Sequence, residues 1–460
     1  MFKSRKNRFY IFNYNWINIR FSIITFLFVD LLILFLNYFT NSFFPFIINI
    51  KNDFLLLSIL WIIFSYLTER YYDLKKFESR KKYIFLFYFL SKTVLTFFYI
   101  LLVKSILFIF NIKSIMFEIN FFYNLFFIFF VSSLINILIS FLNSYKNKES
   151  ELWIFLGDEE KKKLLQSEII NLNIDIQFIN YDLNRNISNE IKNLDGIIID
   201  KSFNGENSYE ICSIFANKKD IEIVSLLDWC NKYLEKYPSS LFEKYEMLLE
   251  SNYFSTINSF SRIKRLGDLI LSSFLITVTI PVLLLAAIII FLQDRGPIFY
   301  SQKRTGKNGI EFQIIKLRTM KIDAEIKGVQ WSSRKDPRIT KFGKFLRLTR
   351  IDELPQLLSV FKGEMSLIGP RPERPEIDTK LIKNIPNYFL RYKVLPGLSG
   401  WAQVNYPYGA SIDDAREKLS YDLYYARNMS VFLDFLIFLR TIRLVFNLKG
   451  AIPNDFKNNI

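Results

Sequence analysis

The sequence contains no histidine and only two cysteines, Cys212 and Cys230. The lack of histidine excludes Ser-His-Asp and Cys-His nucleophile systems, histidine-ligated zinc and a histidine general base. Because both cysteines lie in a stretch with the composition of a cytoplasmic α/β domain, reduced thiols are expected rather than a disulfide framework. Chemistry in this chain must therefore depend on carboxylates, cations, hydroxyl groups or a hard metal ion.

Apolar residues are abundant and unevenly distributed, making up 51% of the 460 residues and including 49 phenylalanines. Four apolar runs fill the first third of the chain, at residues 21–39, 54–67, 84–110 and 121–142. Their lengths predict a four-helix transmembrane region over residues 1–148. Lys92 and Lys104 interrupt the third run, so each must reach the interface or face protein.

Basic residues flank these runs asymmetrically, which predicts the orientation of the region. The positive-inside rule makes both basic clusters cytoplasmic and puts the loops near Lys51 and Lys113 outside. The chain should then return to the cytoplasm near Lys146, in a multi-pass arrangement. The clusters consist of Lys3, Arg5, Lys6, Arg8 and Arg20 before the first run, and Arg70, Lys75, Lys76, Arg80, Lys81 and Lys82 after the second.

The formal net charge of +16 suits an anionic membrane surface or a phosphorylated substrate. Nucleic acid is not expected as a partner, because the positive charge follows the membrane flanks and no recognised nucleic-acid-binding module is present. The basic start has no small-residue cleavage site after a short apolar core, so a signal peptide is not expected.

A polar middle segment, residues 149–250, follows the apolar runs. Four β-rich stretches alternate there with helical patterns, namely LWIFLG, IDIQFINY, DGIIID and IEIVSLL. This order predicts a small parallel sheet of Rossmann type. Its first turn, GDEEK from Gly157, lacks G-x-G-x-x-G and has acids where a pyrophosphate would need backbone N–H groups. A structural or regulatory role is favoured over nucleotide binding.

A further apolar segment, at residues 269–292, has Pro281 at its midpoint. Basic residues lie on both sides of it, and the positive-inside rule disfavours moving either side across the membrane. Proline removes one intrahelical donor and clashes with the preceding turn. The pattern predicts a helix broken at Pro281 that enters and leaves on the same face, over about residues 266–292. An ordinary fifth span with a proline kink is the alternative.

A β-hairpin is predicted next, at residues 298–317, because Asn308-Gly309 is a strong turn signal between two β-rich runs. The hairpin brings Lys316 and Arg318 close together. Residues 341–350 then alternate cations with apolar side chains, a pattern that fits either an amphipathic segment at the headgroup boundary or a solvated basic face.

The adjacent carboxylates Asp352 and Glu353 open a further helix, which has Pro355 in its first turn. Local rules favour Asp352 as an N-cap that accepts backbone N–H bonds. The alternative is a nucleophilic aspartate held ionised by Arg347 and Arg350. Downstream, the loop GPRPER presents Arg371 and Arg374, whose fork-shaped groups suit either phosphate contact or ordinary ion pairs in a rigid loop.

Residues 258–460 resemble the bacterial sugar transferases, the monotopic phosphoglycosyl transferases that load a polyprenyl phosphate with a hexose 1-phosphate. The resemblance implies a membrane α/β protein of the long form, with N-terminal membrane helices, a degenerate Rossmann-like α/β domain and a monotopic α+β catalytic domain with a re-entrant helix. The matching pieces occur in order: KRLGDLILSS, GPIFYSQKRTGKNG, FQIIKLRTM, LRLTRIDELPQLLSVFKGEMSLIGPRP, VLPGLSGWAQVN and YDLYYARN.

The resemblance also implies a mechanism. Asp352 matches the aspartate that attacks the β-phosphate of a nucleoside diphosphate sugar such as a UDP-sugar, and Glu353 matches its dyad partner. Release of UMP would leave a phosphosugar-aspartyl intermediate, which undecaprenyl phosphate then attacks. Mg²⁺ held at Asp352 would neutralise phosphate charge. The implied phosphate-binding residues are Arg347, Arg371, Lys316 and Arg318, and Asp422 is an accessory substrate or metal contact.

The implied setting is the bacterial inner membrane, with the catalytic domain on its cytoplasmic face. There the enzyme would initiate lipid-linked exopolysaccharide, capsule or O-antigen (lipopolysaccharide) synthesis, and a homodimer is compatible with the resemblance. Two departures, Ile280 where many relatives have serine and Tyr406 where many have glycine, leave the helix break unsupported by serine and the sugar unassigned. Trp401 is expected to pack rather than to stack on a base.

Two alternative functions remain. A membrane-attached nucleotide-sugar dehydratase is disfavoured because its glycine fingerprint and Tyr-x-x-x-Lys pair are missing as an ordered set. A non-catalytic membrane scaffold for glycan assembly would tolerate Asp352→Asn.

Overall fold

The structure is a computed structural model that describes residues 21–43, 50–71, 82–109, 119–145, 151–172, 174–179, 194–203, 221–242, 257–322, 324, 336–407, 409 and 411–448. The chain divides into two compact units, residues 1–150 and 151–460. The predicted four-helix region corresponds to the first unit. The middle segment and the C-terminal segment both lie in the second, and their predicted boundary near residue 250 falls outside the described residues.

All four apolar runs of the first unit are helical, as predicted. The helices are α1 (Phe21–Phe43), α2 (Ile50–Leu67), α3 (Lys82–Ile109) and α4 (Ile119–Tyr145). Within the described ranges, three apolar stretches are long enough to cross a membrane: Leu86–Leu107, Phe121–Ile139 and, in the second unit, Ser261–Asp294. The stretches Ile23–Phe39 and Phe54–Leu67 are shorter.

A buried polar network centred on Asp30 connects all four helices of the first unit. Its carboxylate on α1 forms an ion pair with Arg70, and both side chains are completely buried. Trp61 on α2 donates its indole N–H to Asp30 Oδ2 at 3.0 Å, and Asn136 on α4 donates to Oδ1 at 3.1 Å. Arg70 Nε in turn donates to the hydroxyl of Thr93 on α3 at 3.1 Å. Each buried charge is therefore compensated, whereas an isolated buried charge would be costly.

This network corrects one element of the charge-based orientation. Arg70 belongs to the second basic cluster of the sequence, but its guanidinium is neutralised by Asp30 and does not act as a loop charge. Lys104 is buried and faces protein, with its Nζ 4.1 Å from the centre of the Phe121 ring. The cationic residues 75–81 lie outside the described residues, so the orientation stays a prediction.

The second unit begins with the predicted parallel sheet. Its strands, in the spatial order β2-β1-β3-β4, are β1 (Glu151–Leu156), β2 (Ile176–Ile179), β3 (Gly196–Ile199) and β4 (Glu222–Ser225). Helix α5 (Glu159–Asn171) follows β1, and a short helix α6 (Leu226–Trp229) continues into a π-helical turn at Cys230–Leu234. All neighbouring strands are parallel, as predicted for a sheet of Rossmann type.

The carboxyl edge of this sheet, where such folds bind nucleotides, is occupied by the chain's own side chains. Lys161 Nζ lies 2.9 Å from Asp200 Oδ2, and Asp158 caps α5 by accepting from the Glu160 N–H. A Cβ on Gly157 would approach Asp200 Cβ to 2.6 Å. Cys230 is buried as a free thiol, and Cys212 lies outside the described residues. These contacts favour a structural role for the domain.

The C-terminal domain combines short sheets with helices. Its strands are β5 (Phe299–Thr305), β6 (Glu311–Leu317), β7 (Ser366–Ile368) and β8 (Gly397–Ser399). Its helices are α7 (Ile257–Asp294), α8 (Lys341–Thr349), α9 (Leu357–Lys362), α10 (Pro375–Asn384), α11 (Trp401–Asn405), α12 (Ile412–Arg427) and α13 (Val431–Phe446). The predicted hairpin is confirmed: β5 and β6 are antiparallel, and Asn308 and Gly309 adopt φ of 57° and 80° in the turn.

Helix α7 runs without interruption through Pro281 for 38 residues, which differs from the expected division into two helices. Proline removes a single donor, and nearby hydroxyls bond to the backbone: Thr277 donates to Ser273 O at 3.0 Å and Thr279 to Leu275 O at 2.7 Å. Such threonine bonds accompany helix bending. Re-entry itself stays a prediction.

Both ends of α7 contact the same domain. Near its start, Asp268 accepts from the Leu367 N–H at 3.0 Å, and Lys264 lies 2.6 Å from Asp434. Near its end, Ile290 packs in one cluster with Leu317. The apolar stretch between them is largely exposed. A straight helix of this length would measure about 57 Å, nearly twice the hydrocarbon thickness of a bilayer.

Replacing Asp30 should destabilise the first unit selectively. Asp30→Asn leaves the Arg70 guanidinium buried without its countercharge, an uncompensated state that costs about 3–5 kcal/mol. Thermal unfolding of the detergent-solubilised protein should show a clear loss of stability. The matched control is Asp413→Asn, whose carboxylate side chain is 87% exposed and should be dispensable. Equal unfolding curves for the two variants would contradict the role of the network.

Candidate active site

The chain changes direction sharply just before Asp352. Helix α8 ends at Arg350, which has a left-handed backbone with φ of 59°, and a 3₁₀ turn at Ile351–Gln356 follows. Helix α9 then runs to Gly363, whose φ of 92° ends it. The backbone thus places Asp352 in the first turn of the 3₁₀ segment rather than at a helix cap.

The N-cap prediction for Asp352 is therefore wrong. The cap position of the 3₁₀ turn belongs to Arg350, and no side-chain hydrogen bond caps this turn. The Asp352 side chain is 6% exposed, and its Oδ1 has no hydrogen-bond partner. A buried oxygen without a partner carries a substantial desolvation cost, so it is typical of a group reserved for a ligand.

The electrostatic setting of Asp352 also differs from the expectation that Arg347 and Arg350 hold it ionised. Burial, reinforced by the neighbouring charge of Glu353, raises the pKa of Asp352 to about 7, although Lys316 and both arginines oppose the shift. The two arginines are therefore too weak to offset burial. Added positive charge at the carboxylate would restore a lower pKa.

Glu353 has the opposite character. Its carboxylate forms an ion pair with the Arg371 guanidinium, and Arg350 Nη1 lies 3.6 Å away. Burial alone would raise the pKa of Glu353, but the charges of Arg371 and Arg350 outweigh it and lower the pKa well below its usual value. Glu353 is thus the ionised member of the pair, and it orients Arg371.

Lys316 and Arg318 come from the β-hairpin and its continuation, as predicted. Burial, followed by repulsion from Arg304, lowers the pKa of Lys316 to about 7. Arg318 pairs with Asp294 at the end of α7, so its guanidinium fastens that helix to the hairpin as well as facing the cavity.

Arg347 and Asp422 complete the predicted set. Arg347 donates from Nε to the hydroxyl of Thr319 at 2.9 Å, which fixes its direction. Asp422 lies 2.9 Å from Arg391, and burial raises its pKa to about 6 despite that arginine. Arg391 also donates to the Arg371 carbonyl at 2.7 Å. Arg391 thereby connects the Asp422 carboxylate to the backbone at Arg371.

One cavity of about 710 Å³ brings these groups together. The predicted residues that line it are Lys316, Arg318, Arg347, Asp352, Glu353, Arg371 and Asp422. Sequence reasoning missed five more cations in its wall: Arg304, Lys321, Arg338, Arg391 and Lys418. Arg304 lies within the motif GPIFYSQKRTGKNG and could have been singled out there, whereas the others carry no local signal. The cavity is cationic enough to receive a diphosphate.

The residues present fit a magnesium ion bound at Asp352 together with substrate phosphates. In the described part of the chain, no three acidic, histidine or cysteine side chains converge to hold a metal. Magnesium, however, is commonly bound by one or two carboxylates together with substrate phosphates and water. Asp352 Oδ1 is buried without a partner, so it could supply one such ligand, whereas Glu353 is committed to arginine.

A buried carboxylate in a cationic cavity, on a domain carrying a long exposed apolar helix, defines a membrane-associated site for a phosphorylated substrate. Residues 259–448 match the family model described as bacterial sugar transferase. The chain belongs to the bacterial sugar transferase family.

Named relatives match this same region. The chain is 43% identical over 189 residues to the UDP-N-acetylgalactosamine-undecaprenyl-phosphate N-acetylgalactosaminephosphotransferase of Aeromonas hydrophila, covering 41% of this chain and 45% of that protein. It is 41% identical over 181 residues to the UDP-glucose:undecaprenyl-phosphate glucose-1-phosphate transferase of Caulobacter vibrioides, covering 39% of this chain and 68% of the relative. A protein of the same name in Escherichia coli is 37% identical over 191 residues, 41% of each chain.

The matches thus span less than half of the Aeromonas and Escherichia proteins. They concentrate on the C-terminal domain, which contains the cavity.

The raised pKa of Asp352 should make the free energy of unfolding fall as pH rises. Its folded pKa of about 7 exceeds the unfolded value of about 3.9. The stabilisation from the bound proton is therefore complete below the unfolded pKa and is lost as pH rises through about 7. In chelator-containing buffer, the unfolding midpoint of Asp352→Asn should exceed that of wild type by more at pH 8 than at pH 5.

Asp413→Asn is the matched control for that comparison, because its carboxylate is exposed and should show no such pH trend. An Asp352→Asn difference of the same size at both pH values would contradict the raised pKa.

Proposed function

We propose that this chain is a phosphoglycosyl transferase that moves a sugar 1-phosphate from a nucleoside diphosphate sugar, a UDP-sugar, to undecaprenyl phosphate. The observation that carries this proposal is Asp352: its buried Oδ1 lacks a hydrogen-bond partner in a cavity lined by cations. The relatives named for transfer to undecaprenyl phosphate support the acceptor.

In the first step, an Asp352 oxygen attacks the β-phosphorus of the donor. An oxygen–phosphorus bond forms to the carboxylate, and the bond from that phosphorus to the bridging oxygen breaks. UMP leaves with the electron pair, and the sugar phosphate stays on Asp352 as an acyl phosphate. The attacking carboxylate must be ionised, and the incoming diphosphate is received by Lys316, Arg347 and Arg371.

Magnesium, when bound at Asp352, would supply Lewis-acid neutralisation of the phosphate charge. The chain's own residues position the groups that react. Glu353 holds Arg371 by an ion pair, so that the guanidinium fork remains directed at the cavity. Thr319 fixes Arg347 in the same way.

In the second step, an oxygen of undecaprenyl phosphate attacks the phosphorus of the intermediate. A new phosphoanhydride bond forms, and the Asp352–phosphorus bond breaks to regenerate the carboxylate. A site without histidine suffices because the attacking group of each step, first the Asp352 carboxylate and then the lipid phosphate, needs no general base when it is already ionised.

The contacts of α7 support a monotopic catalytic domain. The start of the helix is joined to Asp434 and Leu367, and its end to Arg318 and Leu317. Since all four partners belong to one compact unit, a helix crossing the bilayer would divide that unit between two sides. Entry and return on one face, the cytoplasmic face of the inner membrane, leaves the donor and the lipid phosphate both accessible.

The product would be the first intermediate of a lipid-linked exopolysaccharide, capsule or O-antigen. Its sugar is to be identified by assay, because the motif after GWAQVN departs from the glycine of many relatives. Just before this departure, the Asn405 side chain accepts a hydrogen bond from Arg440 Nη1 on α13 at 2.5 Å.

Asp352→Asn should abolish transfer. In native membranes with magnesium, wild type should release UMP from UDP-glucose or UDP-N-acetylgalactosamine, and sustained release should require undecaprenyl phosphate. Without lipid, sugar radiolabel should remain on the protein. Asp352→Asn should show neither release nor label, because an amide cannot serve as the nucleophile, whereas Asp413→Asn should behave as wild type.

Unchanged UMP release by folded Asp352→Asn would reject the covalent route. If wild type and variant recruit glycan enzymes equally well and neither releases UMP from any donor, the scaffold function replaces the transferase.

Arg371→Lys should impair transfer while preserving charge. Lysine cannot reproduce the fork that spans Glu353 and a phosphate, so the transfer rate should fall by roughly 10-fold or more. The matched control is Arg416→Lys, at an arginine whose side chain is 42% exposed. Equal rates for the two variants would remove Arg371 from the site.

A further inference from the structure

The α/β domain shares a hydrophobic core with the C-terminal domain. Three consecutive residues, Glu235, Lys236 and Tyr237, here called the clamp, add polar bonds between the two domains. They follow the π-helical turn at Cys230–Leu234. Glu235 has a left-handed backbone with φ of 51°, which is strained for a residue with a side chain. Short π-helical segments and strained residues of this kind recur at functional positions. The sheet's own ligand edge, in contrast, is filled by Lys161 and Asp200.

Each clamp residue bonds to a helix of the catalytic domain. The Glu235 carbonyl accepts from the indole N–H of Trp401 on α11 at 2.9 Å. The Tyr237 N–H donates to the carbonyl of Ser420 on α12 at 2.9 Å. Trp401 therefore packs, as expected from the sequence, and its polar atom is used to hold the α/β domain.

Lys236 provides the charged part of the clamp. It is 3% exposed and lies between two carboxylates, 2.5 Å from Glu168 on α5 and in an ion pair with Glu417 on α12. One buried ammonium group thus ties the α/β domain to α12. Breaking such a pair leaves an uncompensated buried charge, so the connection resists separation.

The two clamped helices form one wall of the active-site cavity. Helix α11 and the residue that follows it contribute Ala402, Gln403 and Tyr406, and α12 contributes Ala415, Lys418 and Asp422. On α12, Glu417 and Ser420 face the clamp, while Lys418 and Asp422 reach the cavity. The α/β domain therefore supports this wall from behind. Asp352 lies on a different segment, between α8 and α9.

We propose that the clamp positions the α11–α12 wall for binding of the donor sugar nucleotide, and that Lys236 is its key positioning residue. The ligand named in this inference rests on the proposed transferase function. The mechanical coupling between the clamp and the α11–α12 wall does not depend on that function. The α/β domain thereby acts as a brace for the substrate site.

The test compares Lys236→Met with Lys161→Met in the full-length protein in membranes or nanodiscs. Both variants remove a lysine that pairs with a carboxylate of the α/β domain, but the carboxylate that pairs with Lys161 is Asp200 at the edge of the sheet, which is not part of the clamp. Amide hydrogen exchange is followed in peptides from residues 401–427 and from residues 351–362. Donor kinetics are measured with UDP-glucose and UDP-N-acetylgalactosamine.

Lys236→Met should accelerate exchange in residues 401–427 and leave residues 351–362 unchanged. It should raise KM for the donor by roughly 10-fold while kcat changes little, because coupling terms of this kind are modest and the Asp352 segment is separately held. Lys236→Arg should restore both readouts. Lys161→Met should match wild type in residues 401–427 and in KM.

If Lys236→Met does not fold, Glu417→Gln replaces it. This side chain is 27% exposed and keeps an acceptor for Lys236, so it should give a smaller change of the same pattern. Exchange and KM equal to those of Lys161→Met would overturn the clamp. Faster exchange at residues 401–427 in a protein without any UMP release would instead retain the clamp and reject the transferase.

Discussion

Two carboxylates adjacent in sequence, Asp352 and Glu353, are buried in one cavity. The surrounding residues of the catalytic domain shift the pKa values of these two groups in opposite directions. Asp352 and Glu353 would repel each other if both were ionised without compensation. Arg371 and Arg350 remove that conflict by forming ion pairs with Glu353. The remaining carboxylate is left with a raised pKa and an oxygen without a hydrogen bond, which is an unfavourable state in the absence of an added positive charge.

The cost of that arrangement explains the density of cations in the cavity wall. Arg304, Arg391 and Lys418 line the cavity, and each adds to a field that favours a diphosphate. Burial, followed by repulsion from Arg304, lowers the pKa of Lys316 itself. A site of this kind gains more from an anionic ligand than any single arginine could provide, since the ligand relieves repulsion among cations that are already fixed in place.

Much of this could be predicted from the sequence, because apolar periodicity and turn chemistry are local. The four apolar helices, the β5–β6 hairpin with its Asn-Gly turn and the parallel sheet follow from such patterns. All seven polar residues predicted for the site line one cavity. They could be predicted because the motifs that contain them are long and specific. Their individual roles in catalysis remain proposals.

What local rules could not supply is the pairing of distant charges. Asp352 resembles an N-cap locally, but the left-handed Arg350 moves the cap position and turns the aspartate inward. Arg70 resembles a loop cation, but Asp30 neutralises it from 40 residues away. Lys236 resembles a surface lysine until α12 is folded against it, 181 residues later.

The Asp30 network has a consequence for the order of events during synthesis. Asp30 and its partner Asn136 are separated by 106 residues, so α1 is made well before the last helix that completes the network. At roughly 5–20 residues per second, that interval is about 5–20 s. During this time Asp30 has only Trp61, Arg70 and Tyr71 as prospective partners, all within the first 71 residues. Until α4 has been made, the charge of Asp30 on α1 must therefore be neutralised by Arg70, which follows α2.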